Sequence, residues 1–196
     1  MARVLVACEF SGRVREAFKE KGHYAMSCDL LPTEIEGNHY QGNVFDILDD
    51  EWDLMVCHPP CTYTALSGMH WTQRGLRDPK LTDEAVDFAV ALIESGIPKV
   101  CLEQPMSVLT KRYRKHDQVI QPWQFGEDAQ KKTCLWLKGL PPLEETEYVP
   151  PTLHGLIWKY ANQSPSGCNS LKNKQDRSRT FVGIARAMAE QWSPLL

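Results

Sequence analysis

The sequence predicts an α/β fold with a doubly wound, mostly parallel sheet, and three observations carry that expectation. Short β-branched runs alternate with amphipathic helical stretches along the chain. A tight turn, Phe10-Ser11-Gly12, follows directly on the first run. Polar or reactive residues close each of the first five runs, where an open parallel sheet binds its ligands.

Residues 3–8 form the first expected strand, and Ser11 is placed to cap a helix in which Val14 and Phe18 lie four apart before Gly22 ends it. A second strand over 24–28 stops at Asp29. A third is expected at 42–44 and a fourth at 53–57, running into His58-Pro59-Pro60-Cys61. Thr82 then caps a strong amphipathic helix with Ala85, Phe88, Ala89, Leu92 and Ile93 on one face and Gly96 past its end. A fifth strand, 99–102, ends at Glu103; a sixth covers 133–137, and a last helix covers 184–192. Residues 139–176 are rich in Pro, Gly, Ser and Asn and read as loop.

A chain of 196 residues with 42% hydrophobic content is the size of one domain. No apolar run is long enough to span a bilayer and the first residues lack a signal-peptide pattern, so a cytoplasmic protein is expected. The seven cysteines are odd in number and several sit in apolar runs, which favours reduced thiols over disulfides. A net charge of -3 excludes the globally basic character of many nucleic-acid binders, so any such role rests on local charge.

An acidic group after the second strand suits the ribose hydroxyls of an adenosine-containing cofactor, and a glycine turn after the first lets backbone approach it; Asp29 and Gly12 hold those positions. The G-x-G-x-x-G turn of a nicotinamide site is missing, which disfavours a dehydrogenase. Cys61 follows two prolines that stiffen its turn, as a nucleophile requires. Cys57, His58 and Cys61 lack the second Cys or His pair of a zinc site, so no metal is expected.

In this order and at these strand ends, the motifs resemble those of the DNA (cytosine-5)-methyltransferases, above all the short phage and prophage proteins of that family, over most of the chain. Phe10-Ser11-Gly12 resembles the family's F-x-G turn, Asp29 its ribose-binding acid, Gly42-Asn43 its G-D dipeptide, and Pro60-Cys61 with Ser67-Gly68 its catalytic loop. Glu103-Gln104-Pro105 is similar to E-N-V, Gln130-Lys131-Lys132 to Q-x-R, and Arg179-Thr180-Phe181 with Gly183 to the closing cofactor motif. The resemblance implies a class I methyltransferase fold and S-adenosyl-L-methionine as cofactor. It implies Cys61, Glu103 and Lys132 as catalytic residues, and Phe10, Ser11, Gly12, Asp29, Leu30, Asn43, Asp46, Pro60, Arg179 and Gly183 around the cofactor. DNA is the implied partner, met by Ser67, by Arg112, Arg114 and Lys115 of a basic cluster, and by Arg177.

The departures shape the expectation. Asn43 replaces the acid of G-D, leaving Asp46 as its substitute; Gln104 replaces the shorter amide of E-N; and Cys134 falls where Q-x-R-x-R has its second arginine. His58-Pro59-Pro60-Cys61 lacks the aromatic of the amino-methyltransferase turn, which favours carbon over nitrogen as methyl acceptor. Only about 40 residues separate the motifs that flank the family's target-recognition domain, so specificity is expected to be low or borrowed from a protein partner. A free cytidine nucleotide as substrate, or a non-catalytic role as regulatory subunit or anti-restriction decoy, are the competing readings.

Overall fold

The structure, a computed structural model, describes residues 1–150 and 178–196. Its strands are β1 (Arg3–Ala7), β2 (Tyr24–Asp29), β3 (His39–Gln41), β4 (Leu54–Cys57), β5 (Lys99–Gln104), β6 (Gln118–Ile120) and β7 (Thr133–Lys138). Its helices are α1 (Arg13–Glu20), α2 (Met69–Gln73), α3 (Lys80–Ile93), α4 (Leu109–Arg112) and α5 (Val182–Trp192). The strands form one sheet in the order β3-β2-β1-β4-β5-β7-β6. β1 to β5 are parallel, and β7 runs antiparallel to both of its neighbours. Strand order reverses between β1 and β4, and a crevice is expected at such a switch.

The central strands are apolar on both faces because both faces are covered. Val4, Val6, Leu54 and Val56 pack with Val14, Phe18, Met188 and Trp192, which places α1 and α5 on one side. Leu5, Ala7, Met55 and Cys57 pack with Val86, Ala89, Leu92 and Ile93 of α3 on the other. Among the described residues, no helix is long and apolar enough to cross a membrane.

Three local expectations are corrected. The third strand is His39–Gln41 rather than 42–44. The Tyr40 ring lies so close to Gly42 that a Cβ there would come within 2.5 Å of it, and Asn43 begins a 3-10 turn by accepting the Phe45 amide. The cap of α1 is Gly12, at φ 74°, rather than Ser11. The Glu9 carboxylate takes the amides of Val14 (2.8 Å) and Arg15 (3.4 Å), so an acid from the end of β1 satisfies the exposed amides of the helix. Helix α3 starts at Lys80 behind Pro79, and Thr82 is buried within its first turn instead of capping it.

Candidate active site at the strand ends

Five parallel strands deliver their carboxyl ends to one rim. On its first side, the Glu9 amide bonds to the Cys28 carbonyl and the Gly42 amide to Asp29, which draws the ends of β1, β2 and β3 together. Phe10 and Gly12 are buried there, and Ser11 donates to Glu9 at 3.0 Å. The Asp29 carboxylate accepts the Leu31 amide at 2.9 Å; Leu30 beside it is exposed. Asp46 accepts the Tyr40 hydroxyl at 2.9 Å, beside the turn that Asn43 caps. An acid at the end of β2, a buried aromatic turn at the end of β1 and a hydroxyl–carboxylate pair beyond β3 are a donor set that fits a nucleoside.

The second side lies across the switch point. Cys61 is part-exposed in the turn that follows β4, and Pro60 beside it is exposed. Its carbonyl accepts the amides of Thr64 (3.2 Å) and Ala65 (2.9 Å), which closes the turn. Gln104, fully enclosed at the end of β5, donates to the Pro59 carbonyl at 3.1 Å and accepts from Thr64 Oγ1 at 2.9 Å. The Gln104 amide therefore spans from the end of β5 to the Cys61 loop. The amides of Leu66 and Val108 bond to Met106 and Thr64, completing the seam between the Cys61 loop and the residues just after Glu103.

Glu103 itself is paired. His58 Nδ1 donates to Glu103 Oε2 at 2.8 Å, with both side chains nearly buried. Lys131 Nζ stands 3.9 Å from Oε1, and the Thr180 hydroxyl donates to Oε2 at 3.5 Å. Burial pushes the Glu103 carboxyl up, but the His58 charge and hydrogen bond, with Lys131 behind them, hold it down to about 2. Burial disfavours the His58 charge, and the Glu103 carboxylate outweighs it, so the imidazole is held above its ordinary value. The other ring nitrogen, Nε2, is buried with no hydrogen-bond partner among the described residues.

Sequence reasoning missed His58, Lys131 and Thr180 as members of this cluster. His58 sits directly after β4, three residues before Cys61, and Thr180 lies inside the closing motif, so position alone held the signal. Lys131, rather than Lys132, faces Glu103; Lys132 is exposed. Arg179 pairs with Glu34, its Nε donating to the Glu34 carboxylate at 2.7 Å, and its guanidinium lies over the Phe10 ring at 5.8 Å. Gly183 packs against the Phe125 carbonyl, which occupies the place where its Cβ would be, so it serves helix packing rather than the rim.

Of the expected nucleic-acid contacts, Ser67 is exposed near Cys61. Arg112 pairs with Asp83 at 2.6 Å, and Arg114 with Asp117 at 2.7 Å and with the Leu137 carbonyl; Lys115 is exposed. Arg177 and most of the loop-rich stretch lie outside the described residues. Among the described residues, no three His, Cys, Asp or Glu side chains form a cluster able to hold a metal ion.

Six cysteines are described, and burial raises five of them as acids. Cys8 is pushed to about 12 by burial and by Asp29, Cys28 and Cys134 to about 11, and Cys57 and Cys101 well above the usual thiol range. These five are poor nucleophiles.

No family model matches the sequence, and no curated protein matches it. Solved structures do share its architecture. The Entamoeba histolytica methyltransferase EhMeth matches with a TM-score of 0.51 at 11% identity, over 76% of this chain and 58% of that one. A chain described as a DNA modification methyltransferase encoded within a prophage (E. coli) matches with a TM-score of 0.48 at 13% identity, over 80% of this chain and 55% of that one. The chain thus spans little more than half the length of the solved proteins it matches. What is shared is the fold: a doubly wound, Rossmann-like sheet of the methyltransferase kind.

Proposed function

We infer that this protein transfers a methyl group to C5 of cytosine in DNA, with Cys61 as nucleophile and Glu103 as the group that holds the base. The observation that carries this reading is the seam joining the Cys61 turn to the end of β5, where a buried, charged Glu103 sits among His58, Lys131 and Thr180. A part-exposed thiol to add to the ring, a carboxylate to accept the 4-amino group and an ammonium group beside it to offset developing negative charge suit addition to a pyrimidine.

S-adenosyl-L-methionine supplies an electrophilic methyl group when bound. Asp29 would hold its ribose and the Phe10 turn its amino-acid side, with Asp46 and Asn43 near the adenine. The Cys61 thiolate would add to C6 of the base, and the C5–C6 double-bond pair would bond C5 to the methyl carbon as that carbon's bond to the cofactor sulfur breaks, the bonding pair leaving on a neutral thioether. Loss of the C5 proton and departure of the thiolate then restore the ring. Glu103 accepts the 4-amino group, while Lys131 offsets the negative charge that the addition places on the ring. The base must leave its stack to reach these groups.

The test is direct. DNA containing 5-fluorocytosine cannot lose the C5 substituent, so wild-type protein with cofactor should form a covalent adduct visible as a slower band under denaturing conditions, and Cys61→Ser should not. Absence of an adduct on every DNA tried would end this reading.

A further inference from the structure

We propose that the segment just beyond the Cys61 turn, residues 66–77 with Met106 beside it, is a docking strip for single-stranded nucleic acid. The inference rests on the reading above and deepens it, because it names the strand form of the substrate. Its first support is exposure: Leu66 (48%), Trp71 (46%), Leu76 (66%) and Met106 (37%) all present apolar surface, and the Leu66 amide bonds to the Met106 carbonyl. So many large apolar side chains open to water in one short stretch mark an interaction surface.

Charge supplies the second support and identifies the occupant. Residues 54–77 contain no Asp or Glu, in a chain that carries 25 of them, while Arg74 and Arg77 add positive charge. Arg77 is fixed in place: it donates to the Thr62 carbonyl at 2.8 Å and lies over the Tyr63 ring at 4.9 Å. Arg74 is exposed. The strip is therefore a cationic island on an acidic protein, and it begins five residues from the candidate nucleophile. The more obviously basic stretch at 111–116 has Arg112 and Arg114 engaged in internal ion pairs.

Ring geometry supplies the third. His70 and Trp71 lie with centroids 4.8 Å apart at an interplanar angle of 40°, and the His70 ring is tied to the Ser67 carbonyl at 3.0 Å. An exposed indole with a second ring tilted against it, in a segment that also carries Arg74 and Arg77, offers a face on which bases can stack. Base faces are open in a single strand and hidden in a duplex, so this surface selects the unpaired form.

Binding is to be measured with the Cys61→Ser protein and no cofactor, so that affinity is read apart from chemistry. The probe is a labelled oligodeoxynucleotide about 12 nucleotides long, within the span of one such site, followed by fluorescence anisotropy. Its duplex and free dCMP are the comparison arms. The single strand should bind tighter than the duplex, and dCMP should compete only weakly. Trp71→Ala should weaken binding about tenfold, the worth of one stacked base, while Trp71→Phe keeps most of it. Arg74→Glu should weaken binding and flatten its salt dependence, and Arg112→Glu should change little. Equal or tighter binding of the duplex, no saturable binding of the single strand, or wild-type affinity in Trp71→Ala would each overturn the proposal. The two readings fail separately. Strand binding without a fluorocytosine adduct leaves the strip and removes the chemistry; an adduct with Trp71→Ala and Arg74→Glu binding normally removes the strip and leaves the chemistry.

Discussion

Glu103 and His58 each make the other's burial tolerable. An ionised carboxylate enclosed at the end of β5 is stabilised chiefly by the His58 imidazole 2.8 Å away, with Lys131 and Thr180 behind it, and removing His58 leaves that charge poorly compensated. The two titrations bound the pH range of this contribution. Glu103 titrates below its ordinary 4.5, so its share of stability is complete above that value and is lost as pH falls toward about 2. His58 titrates above its ordinary 6.5, so its share is complete below that value and is lost as pH rises through the raised one. His58→Gln should therefore cost about 3 kcal/mol near pH 6, and that cost should shrink as pH rises through the raised value, as read by urea unfolding; a negligible cost near pH 6 would show that the pair does not support the fold. The thiols give a second residue-scale expectation. Among the six described cysteines, limiting iodoacetamide should modify Cys61 first, with Cys8 lagging despite its partial exposure because its thiol is pushed to about 12. Peptide mapping by mass spectrometry reads the order directly, and prior labelling of any other described cysteine would argue against Cys61 as the nucleophile.

At the scale of the element, α1 does more than cover the sheet. Its fully enclosed Arg15 donates to Glu16 (2.9 Å), Ser27 (2.9 Å), Thr33 (3.2 Å) and the Ile35 carbonyl (2.6 Å), which clamps the loop after β2 against the helix. Arg15→Leu should release that loop, and hydrogen exchange at residues 33–37 should rise well beyond the global change, while unchanged protection there would show that other contacts hold it. The same helix shows where the sequence is readable. Its apolar spacing, Val14 to Phe18, is intrinsic to the chain and locates it correctly. Its cap is not, because the Val14 and Arg15 amides go to Glu9 through a contact that only the strand-to-turn geometry creates, while Ser11 reaches only the Arg13 amide, at 3.4 Å. β6 is only three residues long and α4 only four, too short to show a period, and each is held by its neighbours instead. The His58–Glu103 pair joins residues forty-five positions apart at the ends of separate strands, so no local pattern could announce it; Glu103 was legible because it closes an apolar run, and Cys61 because it follows two prolines just beyond one.

At the scale of the whole molecule, the ligand sites and the core share their supports. Strand ends from β1, β2 and β3 present the donor set for a nucleoside, so binding there should stabilise the entire sheet. S-adenosylhomocysteine at about 100 times its dissociation constant should add about 2.7 kcal/mol to unfolding, seen as a saturable rise in melting temperature. Asp29→Ala should abolish that rise without lowering the melting temperature of the unliganded protein by a comparable amount; a rise that survives would place the cofactor elsewhere. The Thr180 hydroxyl reaches Glu103, the Thr180 carbonyl accepts Arg13, and α5 seals the apolar faces of α1 and β1. β1 and α5 are thus laid together although residues 8–181 lie between them. On the ribosome, β1 and α1 emerge well before the helix that covers them, and they wait with oily surface uncovered. A nascent copy stopped short of Thr180 has its strand ends but lacks both the hydroxyl that reaches Glu103 and the helix that covers β1.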